Sequence, residues 1–366
     1  MEFLADYGLF LAKTVTLVAA LAAVIVIIAA NSMKHQHGEK GHLEVTKLNE
    51  KFEDIVEGIK SVVVDETLLK AEEKTRKKQE KLDRKAAKKA ARQLAKKTEP
   101  ADGSEGADSG RSDGEKKRVF VTAFDGDIKA SATEGLRQVI TAVLALARPG
   151  DEVVVKLESQ GGMVHSYGLA SSQLTRITDK DIPLTVCVDK VAASGGYMMA
   201  CVANKILCAP FAVIGSIGVV AQLPNFHRLL KKNDIDYEML TAGEYKRTLT
   251  VFGENTEKGR QKFIEDLEDT HELFKAFIRE NRDVVDVDAV ATGEVWFGRR
   301  ALDQKLVDEI KTSDQYLVEA CEDADVFEIK YVEKKSLPEK LGLGMETAFD
   351  RVIGSWVQRF NNRFLT

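Results

Sequence analysis

From Val119 onward, short apolar runs alternate with segments of helical period, and this alternation leaves few folds open. The runs VFVTAF (119–124), EVVVKLES (152–159), LTVCVD (184–189), KILCAP (205–210) and IGVVAQ (217–222) predict strands. Helices are predicted over 133–147, 163–178, 195–203, 225–233 and 256–282. Several strands are apolar almost without a break, as strands covered on both faces are. Such runs separated by helices predict an α/β fold around a buried, largely parallel sheet. The body of that fold is expected to start near Arg118. No internal repeat interrupts the pattern.

The chain ahead of the body reads differently. Thr14 to Ala30 runs without a charge (TVTLVAALAAVIVIIAA), and Leu9 to Ala12 extend it beyond Lys13. That is long enough to span a bilayer with little tilt, and Lys13 can snorkel to the interface. A cleaved signal peptide would begin with a basic stretch and end on a small-x-small site. Here the start carries Glu2, Asp6 and only Lys13, and the run ends Ile28-Ala29-Ala30. The expectation is an uncleaved anchor over residues 1–33, with membrane lipid as its partner. Lys34, Lys40 and Lys47 follow the span, a charge balance that favours a cytoplasmic body. Residues 42–66 predict a short strand and a short helix. Lys70 to Lys97 is polar all round, which suits a solvated helical stalk or a site for anionic headgroups. Thr98 to Lys117 is rich in Gly, Ser and Asp and predicts a flexible linker. At the other end, Phe349, Val352, Ile353, Trp356, Val357 and Phe360 share one face of an amphipathic segment over Met345–Phe364.

Composition narrows the chemistry. A net charge of −5 over 366 residues gives no reason to expect a nucleic-acid partner. Cys187, Cys201, Cys208 and Cys321 show neither metal-ligand spacing nor a disulfide framework. The histidines form no HExxH and no cluster, so no metal is expected.

Two glycine-rich turns close predicted strands and open predicted helices: Ser159-Gln160-Gly161-Gly162 and Ala193-Ser194-Gly195-Gly196. A helix start offers unpaired N–H groups and the positive end of a dipole. Two such turns face to face can hold a developing oxyanion, or they are simply tight strand-to-helix turns. Ser194 sits among small residues where a nucleophile needs to be, but it needs a base. His165, His227 and His271 lie in no motif that suggests a triad. Lys246, in TAGEYKR (241–247), is the other candidate. A lysine serves as a base only if its amine is made neutral, which burial favours.

Six segments occur in order along the body: FDGDIKAS (124–131), ESQGGMVHSYG (158–168), ASGGYMMA (193–200), IGSIGVV (214–220), TAGEYKRTL (241–249) and ATGEVWFGRRALDQKLVDEI (291–310). Together they resemble the signal peptide peptidase A family of serine proteases, in its SohB branch. The anchor, basic stalk and linker resemble that branch too. The resemblance implies a ClpP/crotonase-like spiral of ββα units over 118–366, with 34–97 as a SohB-type region carrying the stalk. It implies Ser194 as nucleophile, Lys246 as general base, Ser216 as the residue orienting Lys246, and the N–H groups of Gly161 and Gly195 as the oxyanion hole. It further implies no cofactor, hydrophobic peptide substrates such as remnant signal peptides, and a ring-like homo-oligomer in which neighbours share each site. Relatives of this type hold the body outside the cytoplasm, so an inner-membrane protein with a periplasmic body is expected against the charge balance. Many relatives have proline where this chain has Gln160; the donors are backbone groups, so the hole should survive. Two rivals share part of the pattern. A crotonase-type acyl-CoA enzyme has the fold but no use for Ser194 with Lys246. An inactive membrane scaffold needs none of Ser194, Lys246 and Ser216.

Overall fold

The computed structural model describes residues 41–65 and 116–333, together with scattered helical positions between residues 8 and 85. Five parallel pairings build the main sheet. Strands β2 (Lys117–Gly126), β3 (Glu152–Ser159), β4 (Leu184–Val188) and β6 (Lys205–Cys208) lie side by side. Strand β9 (Glu309–Ile310) flanks β6, and β10 (Ala324–Glu333) flanks β2. Beyond β10 lies β1 (Gly41–Lys47), giving the order β1-β10-β2-β3-β4-β6-β9.

The period-2 alternation of β2 explains how both faces are buried. Val119 and Val121 point into a cluster with Val154, Cys187, Leu207, Leu317 and Val326. Phe120 and Thr122 point the other way, where Val139, Ile140 and Ile177 close over them. Those last residues come from α2 (Thr133–Leu146) and α3 (Val164–Thr178), each presenting an apolar stripe to the sheet. On the opposite face lies α9 (Ser313–Asp323), through Leu317.

A short branch of the same sheet leaves it at the end of β3. Strand β5 (Val191–Ala193) pairs with β3 through Ser159 and Ala192, and β7 (Val213–Gly215) runs parallel to β5. Strand β8 (Val295–Phe297) then pairs antiparallel with β7. Between β5 and β6 lies α4 (Gly195–Ala200), every residue of which is buried. The remaining helices are α5 (His227–Lys232), α6 (Glu257–Asn281), α7 (Val287–Val290) and α8 (Gly298–Asp303).

Two expectations need correction. The strand expected over 217–222 is absent: pairing ends at Gly215, because Gly215 (φ 102°) and Ser216 (φ 52°) both turn the backbone out of the extended region. The strand of this segment lies earlier, at β7. The start of the packed body at Arg118 also changes, since the compact unit runs from Glu44 to Lys330. Helix α1 (Leu48–Val63) accounts for this. Leu48 is buried in the same cluster as Val119 and Val326, with Phe52 packed against it. The Asn49 amide donates to the carbonyls of Cys321 (3.1 Å) and Ala324 (2.9 Å) and accepts from the Val326 N–H (2.8 Å). Lys47 pairs with Asp325 at 2.9 Å. Burying one leucine contributes about 1.5–3 kcal/mol, and each hydrogen bond about 0.5–1.5 kcal/mol more. A polar-looking segment thus joins the core through two residues of its first turn.

A second unit comprises Met1–Leu43 and Tyr331–Thr366. Most of the expected span at 14–30 and of the stalk at 70–97, the linker over 98–115, and the amphipathic segment at 345–364 fall outside the described residues. Among those described, no helix is long and apolar enough to cross a membrane.

Candidate active site

Three strand ends meet on one edge. β3, β5 and β7 run parallel, so their C-terminal ends lie together, where open parallel sheets place ligands. Each ends on a residue with positive φ: Gly161 at 86°, Ser194 at 53°, and Gly215 with Ser216. For a non-glycine residue this conformation costs on the order of 1–3 kcal/mol and persists only where its surroundings fix it. Ser194 is fixed on both sides. Its N–H donates to the Gly215 carbonyl at 2.8 Å, and its carbonyl accepts from the Met198 N–H at 2.9 Å. The result is a half-buried serine on a sharp strand-to-helix turn, its side chain free of hydrogen bonds among the described residues.

The two glycine turns touch. A Cβ on Gly161 would stand 2.7 Å from both the Gly195 nitrogen and the Ser194 Cβ, and 2.8 Å from the Ala193 carbonyl oxygen. Only a glycine lets these backbones approach so closely, and its φ independently favours glycine. Gly195 occupies the first position of α4, where an N–H has no acceptor within its own helix. Gly161 differs from expectation in one respect: its N–H donates to Ser159 Oγ at 3.0 Å, so it is already engaged. The Gly162 N–H has no hydrogen-bond partner among the described residues, and Gly162 is exposed.

Ser216 follows Gly215 directly, so it lies beside the carbonyl that holds Ser194; its own N–H donates to the Glu294 carbonyl at 2.7 Å. Lys246 lies elsewhere. It sits on an irregular arm between β7 and α6, exposed, with no hydrogen bond or ion pair to its side chain among the described residues. The neighbours of Lys246 tether this loop to α6. Glu244 pairs with Lys258, which holds its carboxyl below the usual carboxylate range. Lys258 and Lys262 lie 5.9 and 5.7 Å from the Tyr245 ring centroid. The structure therefore brings Ser194, Gly161, Gly195 and Ser216 to one edge, and among the described residues no hydrogen bond joins Lys246 to them.

Other nucleophiles and bases recede. Burial pushes the thiols of Cys187, Cys201 and Cys208 up to about 12, so none is a thiolate near neutral pH. His165 is exposed, His227 and His271 are half-buried, and none hydrogen-bonds Ser194 among the described residues. Sequence reasoning passed over Ser159 and Tyr167. Tyr167 shares the α3 stripe with Ala170, Leu174 and Ile177. A tyrosine in such a stripe signals a buried hydroxyl that must find a partner.

Comparison with known proteins decides the lineage. The model described as Peptidase family S49 N-terminal matches residues 2–174, and that described as Peptidase family S49 matches residues 176–327. The chain belongs to peptidase family S49. Within S49 it falls in the SohB branch. It is 48% identical over 364 residues to "Probable protease SohB" of Haemophilus influenzae, covering 100% of this chain and 99% of that protein. A protein of the same name from Buchnera aphidicola is 46% identical, over 87% of this chain and 99% of its own length. A solved membrane-bound stomatin-specific protease with a substrate peptide matches 62% of this chain and 96% of its own, at 14% identity and a TM-score of 0.38. The S49 assignment makes the chain a peptidase.

Proposed function

We propose that this peptidase is a membrane-anchored serine endopeptidase that cuts with Ser194 and Lys246. The observation that carries the reading is the backbone of Ser194, held at φ 53° and ψ −120° against a glycine turn. Strain of this kind on an isolated serine is a cost without benefit to a scaffold. For an enzyme it presents Oγ at the open edge. Lys246 takes the proton as Oγ attacks the scissile carbonyl. The tetrahedral oxyanion forms beside the Gly195 N–H and the Gly161–Gly162 turn. Collapse expels the amine, which leaves with the proton from Lys246, and water then hydrolyses the acyl-enzyme. Ser216, next to the carbonyl that fixes Ser194, orients the lysine amine.

The exposure of Lys246 supports a site shared between protomers. In one chain Lys246 is exposed, and its amine has no hydrogen bond or ion pair among the described residues. A neighbour's Ser194 edge would cover it and favour the neutral form. The arm carrying Lys246 also exposes Val220 (80%) and Leu240 (89%), apolar surface that a homo-oligomeric ring would bury. The branch formed by β5, β7 and β8 is compatible with the ClpP/crotonase-like spiral, a fold that supports such rings. Ile128, Met163 and Val164 are exposed around the first glycine turn. They give the edge an apolar rim suited to hydrophobic peptides, such as remnant signal peptides or misfolded membrane segments. The uncharged run over 14–30 is the proposed anchor in the inner membrane, with the body on the periplasmic side.

Ser194→Ala tests the reading in a peptidase assay on the full chain in detergent or vesicles. Activity should fall at least about a thousandfold, as loss of a nucleophile does, and a serine-directed phosphonate should label the parent and not the variant. Full activity in Ser194→Ala would overturn it.

A further inference from the structure

We infer that Ser159 and Tyr167 are positioning residues for this reaction, joining the two glycine turns so that the backbone donors beside Ser194 keep their spacing. The inference rests on the Ser194 reading above.

A directed chain of hydrogen bonds lies beneath the first turn. The Gly161 N–H donates to Ser159 Oγ at 3.0 Å. Ser159 Oγ and Tyr167 Oη are 2.6 Å apart, and Tyr167 Oη donates to the Asp127 carbonyl at 2.7 Å. With the tyrosine proton on the Asp127 carbonyl, the serine proton is left for Tyr167 Oη at 2.6 Å or for the more distant Gly126 carbonyl at 3.4 Å, and the shorter contact continues the chain. Bonds aligned in sequence polarise and stiffen one another. Burial of Tyr167 raises its hydroxyl above the usual phenol range, so it remains a donor at any working pH. Tyr167 has no exposed surface and Ser159 almost none, so neither group has water as an alternative partner.

The same tyrosine also touches the second turn. A Cβ on Gly195 would fall 2.4 Å from the Tyr167 ring. One side chain thus meets Gly195 with its ring and, through Ser159, holds Gly161 with its hydroxyl. The peptide group on the far side of Gly162 is fixed as well, because the Met163 N–H donates to the Ile128 carbonyl at 2.8 Å. The unpaired Gly162 N–H therefore sits between two anchored peptides, one residue on from Gly161, whose backbone lies against the Gly195 nitrogen. Neither Ser159 nor Tyr167 reaches the reacting atoms. They act by holding the peptides that do, where small displacements have large kinetic consequences.

The test uses the full-length protein and compares Tyr167→Phe, Ser159→Ala and the double variant. Tyr167→Phe keeps the ring against Gly195 and removes only the hydroxyl. For each single variant kcat should fall about five- to tenfold while KM stays within about twofold, since a transition-state contact is weakened and substrate binding is not. Affinity for a peptidyl aldehyde, whose adduct carries the oxyanion, should fall by the same factor as kcat/KM. The double variant should be no worse than the poorer single one, because members of one chain do not add. Unchanged kcat and aldehyde affinity in both single variants overturns the inference, as do independent, additive losses. Activity lost only in step with the folded fraction overturns it too. Ser194→Ala alongside separates the two levels. If it is inactive while the positioning variants are unimpaired, this inference alone falls. If it is active, the Ser194 reading falls and takes this inference with it.

Discussion

The Ser194 edge and the Lys246 arm carry the two halves of one proposed reaction, yet they are built in opposite ways. The edge consists of parallel strand ends packed so closely that a single Cβ would not fit. Its backbone is bonded on both sides of Ser194, and the residues around that serine are small. The arm has little regular structure and keeps itself together by a few contacts. Phe226 and Tyr237 flank Phe252 at 6.1 and 5.9 Å, and the Asn225 amide reaches the carbonyls of Thr250 (2.9 Å) and Gly253 (3.0 Å). A nucleophile placed by its own chain's core needs no help to hold its geometry. A base placed on an exposed arm takes its final environment from whatever covers that arm. On the shared-site proposal, the difference divides the site into a part finished on folding and a part that a neighbouring protomer would complete.

The strongest way to break this comparison is to mix two dead proteins. Ser194→Ala and Lys246→Arg should each be inactive alone, since guanidinium does not deprotonate in proteins. Co-expressed with different tags and isolated as mixed assemblies, they should regain a sizeable fraction of parent activity. Background activity in verified mixed assemblies would place both residues of a site on one chain. A smaller effect sharpens the role of the edge. Ser216→Ala removes one orienting hydrogen bond, about 0.5–1.5 kcal/mol, and should lower kcat roughly three- to tenfold. A loss as deep as that of Ser194→Ala would give Ser216 a larger part, and no loss would remove it from the site. The smallest effect concerns how the arm is tethered. Lys258→Met frees Glu244, and activity should fall no more than about threefold, because exposed ion pairs contribute little. The sign with pH follows from Glu244. Its carboxyl is held low in the folded protein, so the tether is present above the ordinary carboxylate range and is lost as pH falls through the lowered value. Parent and variant should therefore converge in acid and differ most near neutrality. A difference that grows in acid would contradict the tether.

Much of this was legible in the sequence, for reasons that vary by region. The β2, β3, β4 and β6 runs were readable because strands buried on both faces must be apolar throughout. The α6 pattern was readable because a long helix repeats its stripe many times. The strand expected over 217–222 was misplaced because IGVVAQ has strand composition, and nothing local announces that Gly215 and Ser216 both turn aside. Val220 is exposed there instead. Helix α1 looked peripheral because most of its residues are polar, and its attachment rests on Leu48 and on Asn49, whose hydrogen-bond partners lie more than 270 residues away. Ser159 and Tyr167 escaped notice because each is ordinary in its own segment. Their meaning lies in a contact between a strand end and a helix that only the folded chain makes.

The attachment of α1 has a further consequence for chain integrity. Residues on either side of the interval 66–115 are built into the same sheet and the same apolar cluster. The segments that flank it therefore meet in one structure. A nick between them is expected to leave both fragments held by those contacts. The shorter piece, carrying Leu48 and Asn49, would stay seated against β10 and α9. The uncharged run over 14–30 would thus remain connected to the body through side-chain contacts after the covalent link is gone.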